Sequence, residues 1–207
     1  MAISTYAELQ TAIADFLNRD DLTSVIPTFI TMAEAQINRD VRHWKMEQRS
    51  TAELDDQYLT LPTDWVETVR LTVKDTVPYA LNLMSRDELQ DRRFDGDDVS
   101  GKPVYYAHIA GEVEVYPTPD ATYEIELLYL QRIAALSDSN TSNWLLTEAP
   151  DLYLYACLVE TTTYLRDDER LTSFGALYQS RLDKLNASAR KATTSGTGLK
   201  MTIRSYK

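Results

Sequence analysis

Residues 143–171 read NWLLTEAPDLYLYACLVETTTYLRDDERL, and what surrounds this stretch decides the architecture. It opens with loop-like residues, and Pro150 falls where a first helical turn tolerates it. From Leu152 to Val159 every residue is apolar or amphipathic, so a helix here has no polar face. Such a helix needs cover on both sides. Neighbouring helices supply one side; the other falls to the β-rich middle of the chain or to a neighbouring copy. Leu152, Tyr153, Leu154, Tyr155, Leu158 and Val159 are therefore the expected core or subunit-packing residues. RDDER then restarts the chain, with Asp167 and Asp168 suited to cap a last helix over roughly 169 to 190.

Working outward, the N-terminal part also reads as helical. Thr5 and Glu8 have capping-box spacing before a stripe of Leu9, Ile13, Phe16 and Leu17. Ile26, Ile30, Ala33, Ile37 and Val41 form the stripe of a second helix, with Pro27 confined to its first turn. A short loop between the two predicts an antiparallel pair. The middle changes period. QYLTLP, WVETVRLTV, VPYALNLM, PVYYAHI, EVEVYP and TYEIELLYLQ read as strands, and Ala110-Gly111 is a hairpin turn. Ser85 and Glu88 open one short helix. In EVEVY the carboxylates alternate with valines, which predicts a small antiparallel sheet with one wet face.

The expected fold class is α+β: an antiparallel helical bundle with an inserted small antiparallel β-rich domain and a flexible C-terminal arm. The expected divisions are 1–50 for the N-terminal helical pair and 51–136 for the insertion. The C-terminal helical pair follows over 137–190 and a basic arm over 191–207.

Charge is segregated along the 207 residues. Residues 1–189 hold all 32 acidic and 16 of the 21 basic groups, a net of −16. After them come Arg190, Lys191, Lys200, Arg204 and Lys207 with no acid, and these are the candidate partner-contacting cations. The acidic body repels a nucleic-acid backbone at long range. Arg39, Arg42, Lys45 and Arg49, near the end of the second helix, fit helix-dipole complementarity, a subunit salt-bridge set or a phosphate contact.

The residues offer no recognisable catalytic constellation. The two histidines, His43 and His108, share no metal-ligand spacing, and the single Cys157 sits in an apolar run where a thiolate is poorly stabilised. No phosphate-binding glycine loop occurs. Paired acids such as Asp55-Asp56 read as solvated turns. A hydrolase using carboxylates remains the enzymatic alternative. No metal, cofactor or membrane span is expected.

Five phrases, taken in order, carry a family resemblance. They are TYAELQTAIADFLNRDDLTSVIPTFITMAEAQINRDVR, LTLPTDW, GKPVYYAHIAGEVEVYPTP, YEIELLYLQRI and NWLLTEAPDLYLYACLVETTTYLRDDER. Within them stand Phe29-Ile30, Ala33-Glu34, Arg39, Arg42 and Pro150-Asp151-Leu152-Tyr153. Over roughly residues 1 to 190 the chain resembles the head-to-tail adaptor (connector, head completion) proteins of tailed bacteriophages. The resemblance implies a structural virion protein without catalysis, in a homo-oligomeric ring usually of twelve copies. It implies a portal protein above, a tail or nozzle protein below, and a channel passing double-stranded DNA without sequence-specific binding. The location implied is the head–tail junction of the virion, after assembly in the host cytoplasm. A tail-completion or stopper ring protein is the alternative within the same assembly.

Overall fold

The computed structural model describes residues 3–19, 21–95, 99–165 and 168–195. In chain order the elements begin with α1 (Tyr6–Leu17), α2 (Ile26–Asp40), β1 (Glu47–Leu54), β2 (Tyr58–Thr60) and β3 (Trp65–Val73). Next come β4 (Tyr79–Ala80), β5 (Asn82–Leu83), α3 (Arg86–Asp95), β6 (Tyr105–Ile109), β7 (Glu112–Tyr116) and β8 (Tyr123–Gln131). The chain ends in α4 (Trp144–Glu148), α5 (Pro150–Leu165) and α6 (Asp168–Thr194). The protein is mixed α+β. It divides into two compact units, one of Met46–Arg132 and one made of the segments on either side of it.

In the helical unit, α1 starts at a full capping box. The Thr5 hydroxyl accepts from the Glu8 N–H at 3.3 Å, and the Glu8 carboxylate accepts from the Thr5 N–H at 3.1 Å. The helix stops where Asn18 turns left-handed, with φ of 51°. Pro27 occupies the first turn of α2, where it removes no helical hydrogen bond. At the other end of α2, the Arg42 guanidinium donates to the carbonyls of Asn38, Arg39 and Val41. That is the helix-dipole role among those open to Arg42.

α5 is the centre of this unit. Leu152, Tyr153, Leu154, Ala156, Cys157 and Leu158 are all buried, against α1, α2, α4 and α6. The second side of the apolar helix is thus covered by helices of its own unit. One of them, α4, falls in NWLLTE, which reads as loop. Asn143 caps it, its side-chain oxygen accepting from the Leu146 N–H at 2.8 Å, and Leu145 and Leu146 are fully buried. The fifth helix was hidden because its apolar run is only three residues long, Trp144 to Leu146. α6 runs to Thr194, four residues past the expected end. The capping expected of Asp167 and Asp168 falls on side chains outside the described residues.

The β-rich unit holds two four-stranded sheets where one was expected. Their orders are β1-β8-β3-β4 and β2-β7-β6-β5. The pairings between these strands are antiparallel except β5 with β6. The core between the sheets draws Leu54, Leu71, Val73, Ile125 and Leu127 from the first, and Tyr106, Val113 and Val115 from the second. β1 begins at Glu47, inside a polar stretch, EQRSTAEL, that carries no strand pattern of its own. The β6–β7 hairpin turns at Ala110 and Gly111, both with positive φ (45° and 90°), as a tight two-residue turn demands.

The expected wet face of β7 is wet at Glu112 but not at Glu114. Glu114 is fully buried, because α3 lies over that face of the sheet. α3 itself starts at Ser85, whose hydroxyl accepts from the Glu88 N–H at 3.2 Å.

Candidate interaction surfaces and buried polar centres

Among the described residues two carboxylates are buried, one in each unit. Glu34 projects from α2, where Phe29, Ile30, Ala33 and Ile37 fill the rest of the inner face. Its Oε1 accepts from the Leu136 N–H at 2.7 Å and from the Tyr153 hydroxyl at 3.3 Å. Tyr153 in turn accepts from the Asn143 amide at 2.7 Å, and the same amide donates to the Ala134 carbonyl at 2.8 Å. One turn along α2, Asn38 accepts from the Ile133 N–H at 2.8 Å. These bonds seat the irregular segment 133–143 on α2 and α5. Burial raises the pKa of Glu34, and its two donors hold it back. Burial, followed by the Glu34 charge, also raises the Tyr153 phenol.

Glu114 is held differently. Arg93 of α3 donates from Nε at 2.8 Å, Gln57 at 2.7 Å and Gln90 at 3.0 Å. The remaining guanidinium nitrogens of Arg93 reach the Val115 carbonyl at 2.6 Å and the Thr118 hydroxyl at 3.1 Å. Three side chains, two from α3 and one from the turn between β1 and β2, converge on this one carboxylate. The arrangement anchors α3 to the second sheet. Sequence reading missed both residues. The signal was present in Leu89, Gln90 and Arg93, which share one helix face.

The histidines lie in separate units. His43 is buried, its ring 4.9 Å from that of Trp144, and Nδ1 accepts from the Lys45 N–H at 3.2 Å. His108 lies beside Trp65 and Tyr106. Burial lowers both imidazole pKa values. Among the described residues no group of three or more His, Cys, Asp or Glu side chains is placed to hold a metal. No helix among them is long and apolar enough to cross a membrane.

Of the residues singled out on α5, Leu152, Tyr153, Leu154 and Leu158 are buried, while Tyr155 and Val159 are half-buried. Tyr155 faces Phe174 of α6 at 6.4 Å. Burial raises the Cys157 thiol pKa, so it stays protonated. Lys45 pairs with Glu148, and Arg49 stands in β1, in the other unit from Arg39, Arg42 and Lys45. Arg190 and Lys191 are exposed near the end of α6. Lys200, Arg204 and Lys207 lie outside the described residues.

Large apolar side chains stand in water in both units. In the helical unit they include Phe16, Met32 and Tyr164; in the β-rich unit, Val77, Leu83 and Phe94, the last 84% exposed. Exposed groups of this size are the material of interfaces.

No curated protein matches the chain. A family model described as SU10 adaptor protein matches residues 4–199. That span takes in both units and every buried residue named above. The chain belongs to the SU10 adaptor protein family, whose role is that of a structural phage adaptor.

Proposed function

We propose that copies of this chain close into a ring, twelve in number, between the portal and the tail of the virion. The ring extends the channel through which double-stranded DNA passes, without sequence-specific binding. The family match over nearly the whole chain is the observation that carries this reading. Charge supports it: a body of net −16 repels the phosphate backbone and lets it slide without sticking. A closed ring needs a heterologous contact, in which one face of a subunit meets a different face of the next. Two units of different construction supply such faces. Arg190, Lys191 and the cations of a C-terminal arm contact the acidic surface of a partner. Assembly takes place in the host cytoplasm, and the product sits at the head–tail junction.

Electron microscopy of the chain bound to its portal protein tests this. A twelve-fold ring beneath the portal is expected. A chain that stays monomeric and never joins portal protein at high concentration overturns it.

A further inference from the structure

The two long sides of the β-rich unit are finished differently. On one, β4 and β5 form a single run in which only Leu81 separates the first sheet from the second. Leu81 is buried, and its N–H donates to the Leu71 carbonyl at 2.9 Å. On the other side β1 and β2 are the edge strands of their sheets, joined through residues 55–57. Beside them opens a groove of about 300 Å³ whose lining includes Ser50, Ala52, Leu59, Leu61, Ile125 and Leu127.

β1 contributes only small side chains to that groove. Ser50 stands opposite Leu127 in the ladder and Ala52 opposite Ile125, so small side chains rim a groove whose floor is made by buried core residues. The other face of β1 carries Glu47, Arg49, Thr51 and Glu53. Glu53 stands directly opposite Glu124, a pairing of like charges that costs stability. Lys74 answers Glu124 at 3.1 Å. Among the described residues no cation pairs with Glu53. An eight-residue edge strand in this condition is a template for another strand.

The sequence holds a segment with the complementary pattern. Residues 199–206 read LKMTIRSY, in which Leu199, Met201 and Ile203 alternate with Lys200, Thr202 and Arg204. That is the period of a strand with one apolar and one basic face. Its length equals that of β1.

We propose that residues 199–206 of one copy add as a strand to the free edge of β1 in a second copy. Leu199, Met201 and Ile203 fill the groove beside Ser50 and Ala52. Lys200 and Arg204 lie on the face that carries Glu53 and Glu47. Backbone pairing supplies affinity and the alternate side chains supply register. Charge favours a second copy as host, because acidic bodies brought side by side repel unless cations are placed between them. The choice of a second copy rests on the ring reading above.

A labelled peptide of residues 196–207, titrated against the chain truncated after Ser195, tests the docking without needing a ring. Saturable binding is expected. It should weaken by at least about tenfold when the peptide carries Ile203→Asp, the loss of one buried apolar side chain. Glu53→Lys in the truncated chain, an exposed change that leaves the core alone, should weaken it as well. Absence of binding, or binding indifferent to both changes, overturns the docking. A photo-crosslinker at position 203 in the full chain, in an equal mixture of light-nitrogen and heavy-nitrogen copies, identifies the host. Mixed-isotope links to β1 are expected. Links only within one copy, or only to portal protein, overturn the assignment to a second copy. Peptide binding without any ring under the microscope would remove the ring reading and leave the docking standing. A ring formed by the truncated chain that binds no peptide would do the reverse.

Discussion

Glu34 faces a backbone N–H and a phenol; Glu114 faces a guanidinium and two amides. Both are removed from water, yet only one has a counter-charge. At Glu114 the desolvation of the carboxylate is met by Arg93, itself largely buried, so each ion depends on the other. Among the described residues no cation is bonded to the Glu34 carboxylate, and the cost of burial shows as a raised pKa. The difference follows from what each group organises. Glu114 fastens a whole helix to a sheet, and a charge pair fixes α3 in one position. Glu34 holds one backbone N–H of an irregular segment and the Tyr153 phenol, for which a neutral or charged oxygen serves equally well.

The largest expected effect breaks the charged centre. Arg93→Met strands Glu114 without its cation and should cost about 3–5 kcal/mol. Hydrogen exchange across β6 and β7 in the full chain reads that loss. Adding Glu114→Leu should recover much of it, and a double variant as unstable as the single one would show that the pair is not coupled. Next comes Leu158→Ala, in the core around α5. It should cost about 2–5 kcal/mol by chemical denaturation. A negligible loss in the isolated chain would move Leu158 from core to subunit contact.

Tyr153→Phe removes one donor to Glu34 and one acceptor for Asn143. About 1–2 kcal/mol is expected, because buried partners are left unsatisfied. The smallest effect is Glu34→Gln, within about 1 kcal/mol at neutral pH. It should change the pH dependence more than the stability. A carboxyl whose folded pKa is raised binds its proton more tightly when folded. Its contribution is therefore full at low pH and lost as pH rises through the folded pKa. Wild type should show that falling slope between pH 4 and the raised pKa of Glu34; Glu34→Gln should lack it. An unchanged slope would mean that other groups set it.

The helical elements were legible wherever a stripe exceeded two turns. α1, α2 and α6 each carry one, α5 is marked by its unbroken apolar run, and the strand phrases from β3 to β8 carry period two. What escaped was set by partners distant in sequence. α4 has only Trp144, Leu145 and Leu146 to mark it, and its cap Asn143 is read as a loop residue until Ala134 and Tyr153 are seen around it. β1 is polar on almost every residue because it is an edge strand, so pattern alone could not find it. EVEVY predicts a wet face because alternation records chemistry, not cover. Only the landing of α3 turns Glu114 inward. Of the interaction residues, Leu152, Tyr153, Leu154 and Leu158 were readable as needing cover, but the identity of the cover depended on the unsuspected fifth helix.

Cys157 has a practical consequence. It is the only thiol in the chain, it has no exposed surface, and burial holds it protonated. A thiol reagent can reach it only when α5 separates from its neighbours. Its labelling rate is therefore a built-in clock for opening of the helical unit, and needs no engineered probe. Run on free chain and on assembled particles, the same clock measures how far assembly slows that opening.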